Sequence, residues 1–78
     1  MTLKIISAEK ILFEGEATAV TLPGEMGAFT VLPHHASLIS TLVEGKVKYA
    51  QGDDTRHEVE IAGGIVSVDR DIVSVCVY

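Results

Sequence analysis

No stretch of this chain carries a cluster of lysine and arginine, and six basic against eleven acidic residues give a net charge of -5. Phosphate contacts need a positive footprint, so nucleic acid is excluded as a partner, and adhesion to an anionic lipid surface is disfavoured on the same ground. The one cysteine, Cys76, cannot form an internal disulfide. The opening MTLKIISAEK lacks the basic flank, long apolar core and small-residue cleavage site of a secretory signal. Both observations predict a soluble domain in a reducing cytoplasm. No wholly apolar run approaches the ~20 residues needed to span a bilayer, so lipid insertion is not expected. Sustained 3.6-residue apolar periodicity, internal repeats and low-complexity tracts are missing too, which leaves no room for a substantial helix.

Motifs for chemistry are equally scarce. The glycines never give GxGxxG ahead of a helix, and Gly45-Lys46 is followed by Val47 instead of the hydroxyl residue of a phosphate loop. His34-His35 is the only adjacent pair of histidines, but it lacks further ligands at motif spacing and reads as two loop imidazoles. His57 lies on an alternating segment beside Glu58 and Glu60 and reads as a packed or rim residue. Cys76 has no histidine at a useful interval, and its place in a strand predicts a buried, inert thiol. Ser7, Ser67 and Ser74 belong to strand patterns, and Asp53-Asp54 reads as a solvated hairpin tip. No catalytic residue, metal site or cofactor is expected.

What is present is β pattern. At 78 residues and 8.3 kDa the chain is one domain, residues 1–78, small enough that nearly every apolar strand face must be used. The segment VEIAGGIVSVDRDIVSVCVY, residues 59–78, is organised as a strand feeding a tight hairpin, with Gly63-Gly64 as either a turn or a point of close backbone approach. In its last run Val73, Val75 and Val77 face the core, while Ile72, Ser74, Cys76 and Tyr78 form a semi-apolar opposite side. Such a side suits contact with another molecule. Earlier strands are read at LKIISA, with Leu3 and Ile5 inward, at KILF, and at EATAVTL, marked by Ala17, Ala19 and Val20, the last ending at Pro23-Gly24. PGEMG is a loop, GAFTVL resumes extended structure, and Pro33 stops it before a turn at His34 to Ser37. LISTLV, GKVKYA and RHEVEIAG follow, the last two joined at QGDDT. About eight or nine short strands with regular turn signals predict an all-β sandwich or flattened barrel.

In this order, and over essentially the whole chain, LKIISAEKILFEGEATAVTLPG, GEMGAFTVLPHHASLIS, LVEGKVKY and IAGGIVSV resemble the amino-terminal β domain of the epsilon subunit of F-type ATP synthases, called delta in mitochondria. The family pattern has an acidic G-E-x-G loop, a short strand, then P-G-H-A-P-L-L. Here Pro33, His34, His35, Ala36, Ser37, Leu38 and Ile39 occupy the second part, so His34 stands at the family's glycine and Ser37 at its second proline.

The resemblance implies a flattened β sandwich of about ten strands. It implies a rotor part without an active site that clamps the foot of the gamma subunit, rests on the polar loops of the membrane c-ring, and couples ion flow to synthesis in the catalytic head through gamma. It places the domain peripherally at the cytoplasmic face of the bacterial membrane. By position, Glu25, Met26 and Gly27, together with His34, His35 and Ala36, would face the ring. The mixed side bearing Cys76 and Tyr78 would face gamma. Most family members carry a further carboxy-terminal pair of helices, and the sequence stops where these would begin, so inhibition through them is not expected of these residues. Read from the residues alone, a small β-barrel holding a ligand in its mouth, or an enzyme relying on histidines, are the alternatives. The first would need an apolar pocket with convergent polar groups, the second histidines with oriented partners.

Overall fold

The structure is a computed structural model and describes residues 1–78. Nine strands account for the regular structure, with no helix: β1 (Thr2–Ile6), β2 (Ile11–Glu16), β3 (Ala19–Gly24), β4 (Gly27–Val31), β5 (Leu38–Leu42), β6 (Gly45–Ala50), β7 (Arg56–Ile61), β8 (Gly64–Asp69) and β9 (Ile72–Val77). The expected all-β sandwich is the observed fold, with nine strands, within the eight or nine read from the residue pattern and one short of the ten or so that the resemblance implied. No helix is long and apolar enough to cross a membrane.

Strand order along the curled sheet is β2-β1-β9-β8-β5-β3-β6-β7, with β4 paired to β3. One layer is β2-β1-β9-β8-β5 and the other is β4-β3-β6-β7. They join where β5 meets β3 at the single pair Gly24 and Leu42. Every pairing is antiparallel except β1 with β9, which run parallel and in register from Thr2 with Ile72 to Ile6 with Cys76.

Alternation fixes the core. Leu3 and Ile5 on β1, Val66 and Val68 on β8, and Val73, Val75 and Val77 on β9 face Val20 and Leu22 on β3, Val31 on β4, and Val47 and Tyr49 on β6. Period-two side-chain placement then sends each intervening residue outward. The segment 16–24 departs from expectation: Thr18 sits in a bend, so Ala17 and Val20 are buried while Ala19 is only half-buried and falls out of phase. β3 does end at Pro23-Gly24, as expected. The Pro23 carbonyl accepts the Val43 N–H at 2.9 Å, and Gly24 continues the strand into the corner. A side chain on Gly24 would meet the Gly27 carbonyl and the Phe29 ring, each at 2.7 Å from its Cβ.

Two tight turns cap opposite ends of the sandwich. Glu25-Met26 joins β3 to β4 at the corner end. Arg70-Asp71 joins β8 to β9 at the other end, with φ of 51° and 64°, the left-handed pair that a type I′ hairpin requires.

Candidate interaction surfaces

The outward side of the first layer is built by register. Across β2, β1, β9, β8 and β5 one row reads Ile11, Ile6, Cys76, Ile65 and Thr41. Its neighbour reads Glu14, Lys4, Ser74, Ser67 and Ile39, with the Lys4 and Glu14 pair at 3.7 Å. The apolar row depends on a bulge: Ile5 pairs with Phe13 but Ile6 with Ile11, so Leu12 is the extra residue. That one-residue shift keeps Phe13 inward, where its ring lies 4.4 Å from that of Tyr49, and turns Ile11 out beside Ile6. Ile11 is 59% exposed, Ile65 50% and Ile39 79%. An apolar belt therefore crosses a face whose strands are otherwise well paired.

The outward side of the second layer differs in kind. Lys46 and Lys48 both reach Glu58, at 3.6 and 3.9 Å, and the Thr21 and Thr30 hydroxyls share a hydrogen bond of 2.9 Å. This face is charged and solvated. One side of the sandwich is thus charged and polar, while the other carries an apolar belt beside a polar row.

Cys76 corrects an expectation. Its thiol is exposed, not buried, because the inward phase of β9 belongs to Val73, Val75 and Val77. It sits in the belt between Ile6 and Ile65. Tyr78 is exposed at the corner end, where its N–H donates to the Gly63 carbonyl at 3.2 Å and its ring lies over Gly63. Of the two readings of Gly63-Gly64, close backbone approach is the observed one, since a Cβ on Gly64 would collide with the Cys76 carbonyl.

The two loops expected to share one surface do not. Glu25, Met26 and Gly27 form the tip at the head of β4, and His34, His35 and Ala36 follow its foot. Between Gly27 and His34 the strand contributes Ala28 to Val31, about 14 Å at ~3.4 Å per residue, in a body measuring 28 × 24 × 19 Å. Periodicity identifies each loop but not which ends of the sandwich they occupy. The tip is bare: Met26 is 99% exposed. The other loop is held down. Its His34 has a φ of 65°, and its backbone N–H donates to Asp71 Oδ1 at 2.8 Å. The Ser37 hydroxyl donates to Asp69 Oδ1 at 2.9 Å, and His35 Nδ1 donates to the Ala36 carbonyl at 2.7 Å. Asp71's carboxyl is pulled below the usual carboxylate range chiefly by the His34 N–H, with the positive Met1 amino group and His34 adding to it.

His57 is a half-buried ring stacked on Tyr49, centroids 5.1 Å apart, and its Nε2 donates to Gln51 Oε1 at 3.2 Å. Burial pushes the Tyr49 phenol up from its ordinary value. Asp53, at the β6–β7 hairpin tip, is held low by hydrogen bonds from Thr55. No three His, Cys, Asp or Glu side chains are grouped to hold a metal ion. Two open depressions mark the surface, of about 210 and 540 Å³. The larger is lined by Ser37, Leu38, Ile39, Ser67, Val68 and Asp69 and borders the belt.

The belt residues Ile6, Ile11, Ile39 and Ile65 were not singled out from sequence. The signal for Ile65 was present, since it alternates with Val66 in a strand whose other face is core. The signal for Ile11 was not, because it depends on the bulge.

Comparison with known proteins agrees with this architecture. A chain named ATP synthase epsilon chain from Bordetella petrii is 41% identical over 75 residues, covering 96% of this chain and 53% of its own length. Another of that name from Xanthomonas euvesicatoria is 41% identical over 73 residues, covering 94% and 52%. The chain thus spans about half the length of these curated relatives. Among solved structures, a chain of the Euglena gracilis mitochondrial ATP synthase, in an OSCP/F1/c-ring assembly, superposes with a TM-score of 0.90 at 19% identity, over 96% of this chain and 48% of that one. A chain from the Tetrahymena thermophila mitochondrial ATP synthase central stalk and c-ring gives 0.81 at 12% identity, over 97% and 61%. At those identities the likeness is one of fold. Residues 1–78 match the family described as "ATP synthase, Delta/Epsilon chain, beta-sandwich domain", and the chain belongs to that family.

Proposed function

We propose that this domain is a non-catalytic part of the rotor of an F-type ATP synthase, docked on the gamma subunit and meeting the c-ring, so that ion translocation through the ring drives synthesis in the catalytic head through gamma. The observation that carries this reading is the asymmetry of the sandwich. A belt of Ile11, Ile6, Cys76 and Ile65 crosses one face, and an ion-paired lattice covers the other. Burying an isoleucine side chain is favourable by roughly 1.5–3 kcal/mol, so a belt of this kind supports a lasting protein contact. Cys76 lies within that contact with gamma, and Tyr78 borders it.

The bare tip Glu25, Met26 and Gly27 is the part assigned to the ring. A projecting two-residue turn can meet polar loops through water without ordering the rest of the domain. His34, His35 and Ala36 lie at the opposite end of β4 and are assigned to the gamma side of the stalk instead of the ring. The domain acts by shape and carries no cofactor, and its place is peripheral, on the cytoplasmic side of the membrane that holds the enzyme.

The test is reconstitution. Enzyme stripped of its epsilon subunit and then given the full subunit should regain ATP-driven ion pumping and stable attachment of the head to the membrane sector. Unchanged pumping and attachment would remove the rotor reading.

A further inference from the structure

Three of the four non-glycine residues with positive φ, His34, Arg70 and Asp71, meet at one place. His34 is in the left-handed region at φ 65°, where its position in the family pattern is glycine's, and Arg70 and Asp71 form the β8–β9 turn at φ 51° and 64°. Side chains with a Cβ resist that region and persist there only where surrounding contacts over-determine them. Here those contacts are specific. Asp71 Oδ1 accepts the His34 N–H at 2.8 Å, while the Asp71 carbonyl accepts the Thr2 N–H at 3.0 Å and so anchors the turn to β1. Asp69 Oδ1 takes the Ser37 hydroxyl at 2.9 Å, at the position where the family pattern has proline. The loop's two departures from that pattern are thus the two places where the turn holds it.

We propose that Asp71 and Asp69 are positioning residues that clamp the 33–37 loop and so present His34 and His35 in a fixed shape to the gamma subunit. A loop whose family pattern relies on glycine freedom and proline stiffness is here shaped by two acceptors on a neighbouring turn. The clamp acts on the backbone of His34, which leaves the His34 imidazole and the Nε2 edge of His35 to meet a partner, while His35 Nδ1 is held by the Ala36 carbonyl. This inference rests on the assignment of that loop to gamma, and its test separates the two.

The full subunit is prepared as wild type, Asp71→Ala, Asp71→Asn, Ser37→Ala and His35→Glu, and each is assayed for amide exchange at His34 and for affinity toward purified gamma. In Asp71→Ala the His34 amide should lose its protection and gamma affinity should fall about ten-fold, the loss expected for one strong acceptor. Asp71→Asn keeps an acceptor oxygen and should stay within about three-fold of wild type. Ser37→Ala, outside the strands, should weaken affinity in the same direction by a smaller factor. Unchanged protection of the His34 amide in Asp71→Ala overturns the clamp. Lost protection with unchanged affinity also overturns it, and His35→Glu then says why: if His35→Glu weakens binding, the loop docks without needing the clamp, and if it does not, the loop is no gamma contact.

Discussion

Gly64 passes so close beneath β9 that a Cβ on it would collide with the Cys76 carbonyl oxygen and lie 3.0 Å from the Val77 Cα. Gly64 also faces Leu42 across β5, so this approach closes the corner at which the two layers join. Gly64→Ala should therefore force two backbones apart and lower unfolding free energy by about 3 kcal/mol, the upper part of the range for overpacking. Gly52→Ala is the control. Nothing lies within 4 Å of its added methyl, and the change should stay within about 0.5 kcal/mol. Urea denaturation of the two variants checks the pair.

Cys76 gives a chemical handle on the belt. Its thiol is exposed between Ile6 and Ile65, so a maleimide should label it in the free subunit without unfolding. Bound gamma should slow that labelling at least about ten-fold if the belt is covered. Equal rates with and without gamma would place the contact elsewhere.

Charge placed in the belt should separate docking from folding. Ile65→Asp alters a half-exposed side chain and should change stability by less than about 1 kcal/mol, yet reduce gamma affinity about 10- to 100-fold. Lys48→Ala, on the ion-paired face, should leave that affinity unchanged. Titration calorimetry against purified gamma reads both.

Acid should act through two carboxylates. Asp53, held low by Thr55, and Asp71, held low by the His34 N–H, are both depressed in the folded state. In such a case the unfolded chain takes up protons first as pH falls, so the contribution to stability is complete above the ordinary carboxylate value of about 3.9 and is lost as pH drops through the lower folded values. The urea midpoint should thus be flat from neutrality to about pH 5 on account of these groups and decline below about pH 4. Asp53→Asn and Asp71→Asn should each flatten the acid limb, and an unchanged limb in both would contradict this origin.

Much of the fold was legible because its strands obey a strict two-residue period. Leu3 and Ile5, Val47 and Tyr49, and Val73, Val75 and Val77 all face the core as their alternation required. Legibility failed where the period is interrupted. The Leu12 bulge moves Ile11 to the outer face, and the Thr18 bend puts Ala19 out of phase. The surfaces were harder. Nothing local told that β4 would carry Glu25 and His35 to opposite ends. In β9 the alternation that put Val73, Val75 and Val77 inward also put Cys76 outside, against the expectation of a buried thiol.

Docking on gamma through the belt face, and not through the ion-paired face, is decided by hydrogen-exchange protection of the full subunit with and without purified gamma. Docking through the belt should add protection along the exposed edge β2 and in the loops bordering the belt, at Ser7 to Lys10 and Val43 to Glu44, with the β6–β7 hairpin around Gln51 to Thr55 unchanged. Protection confined to β6, β7 and their hairpin would contradict it.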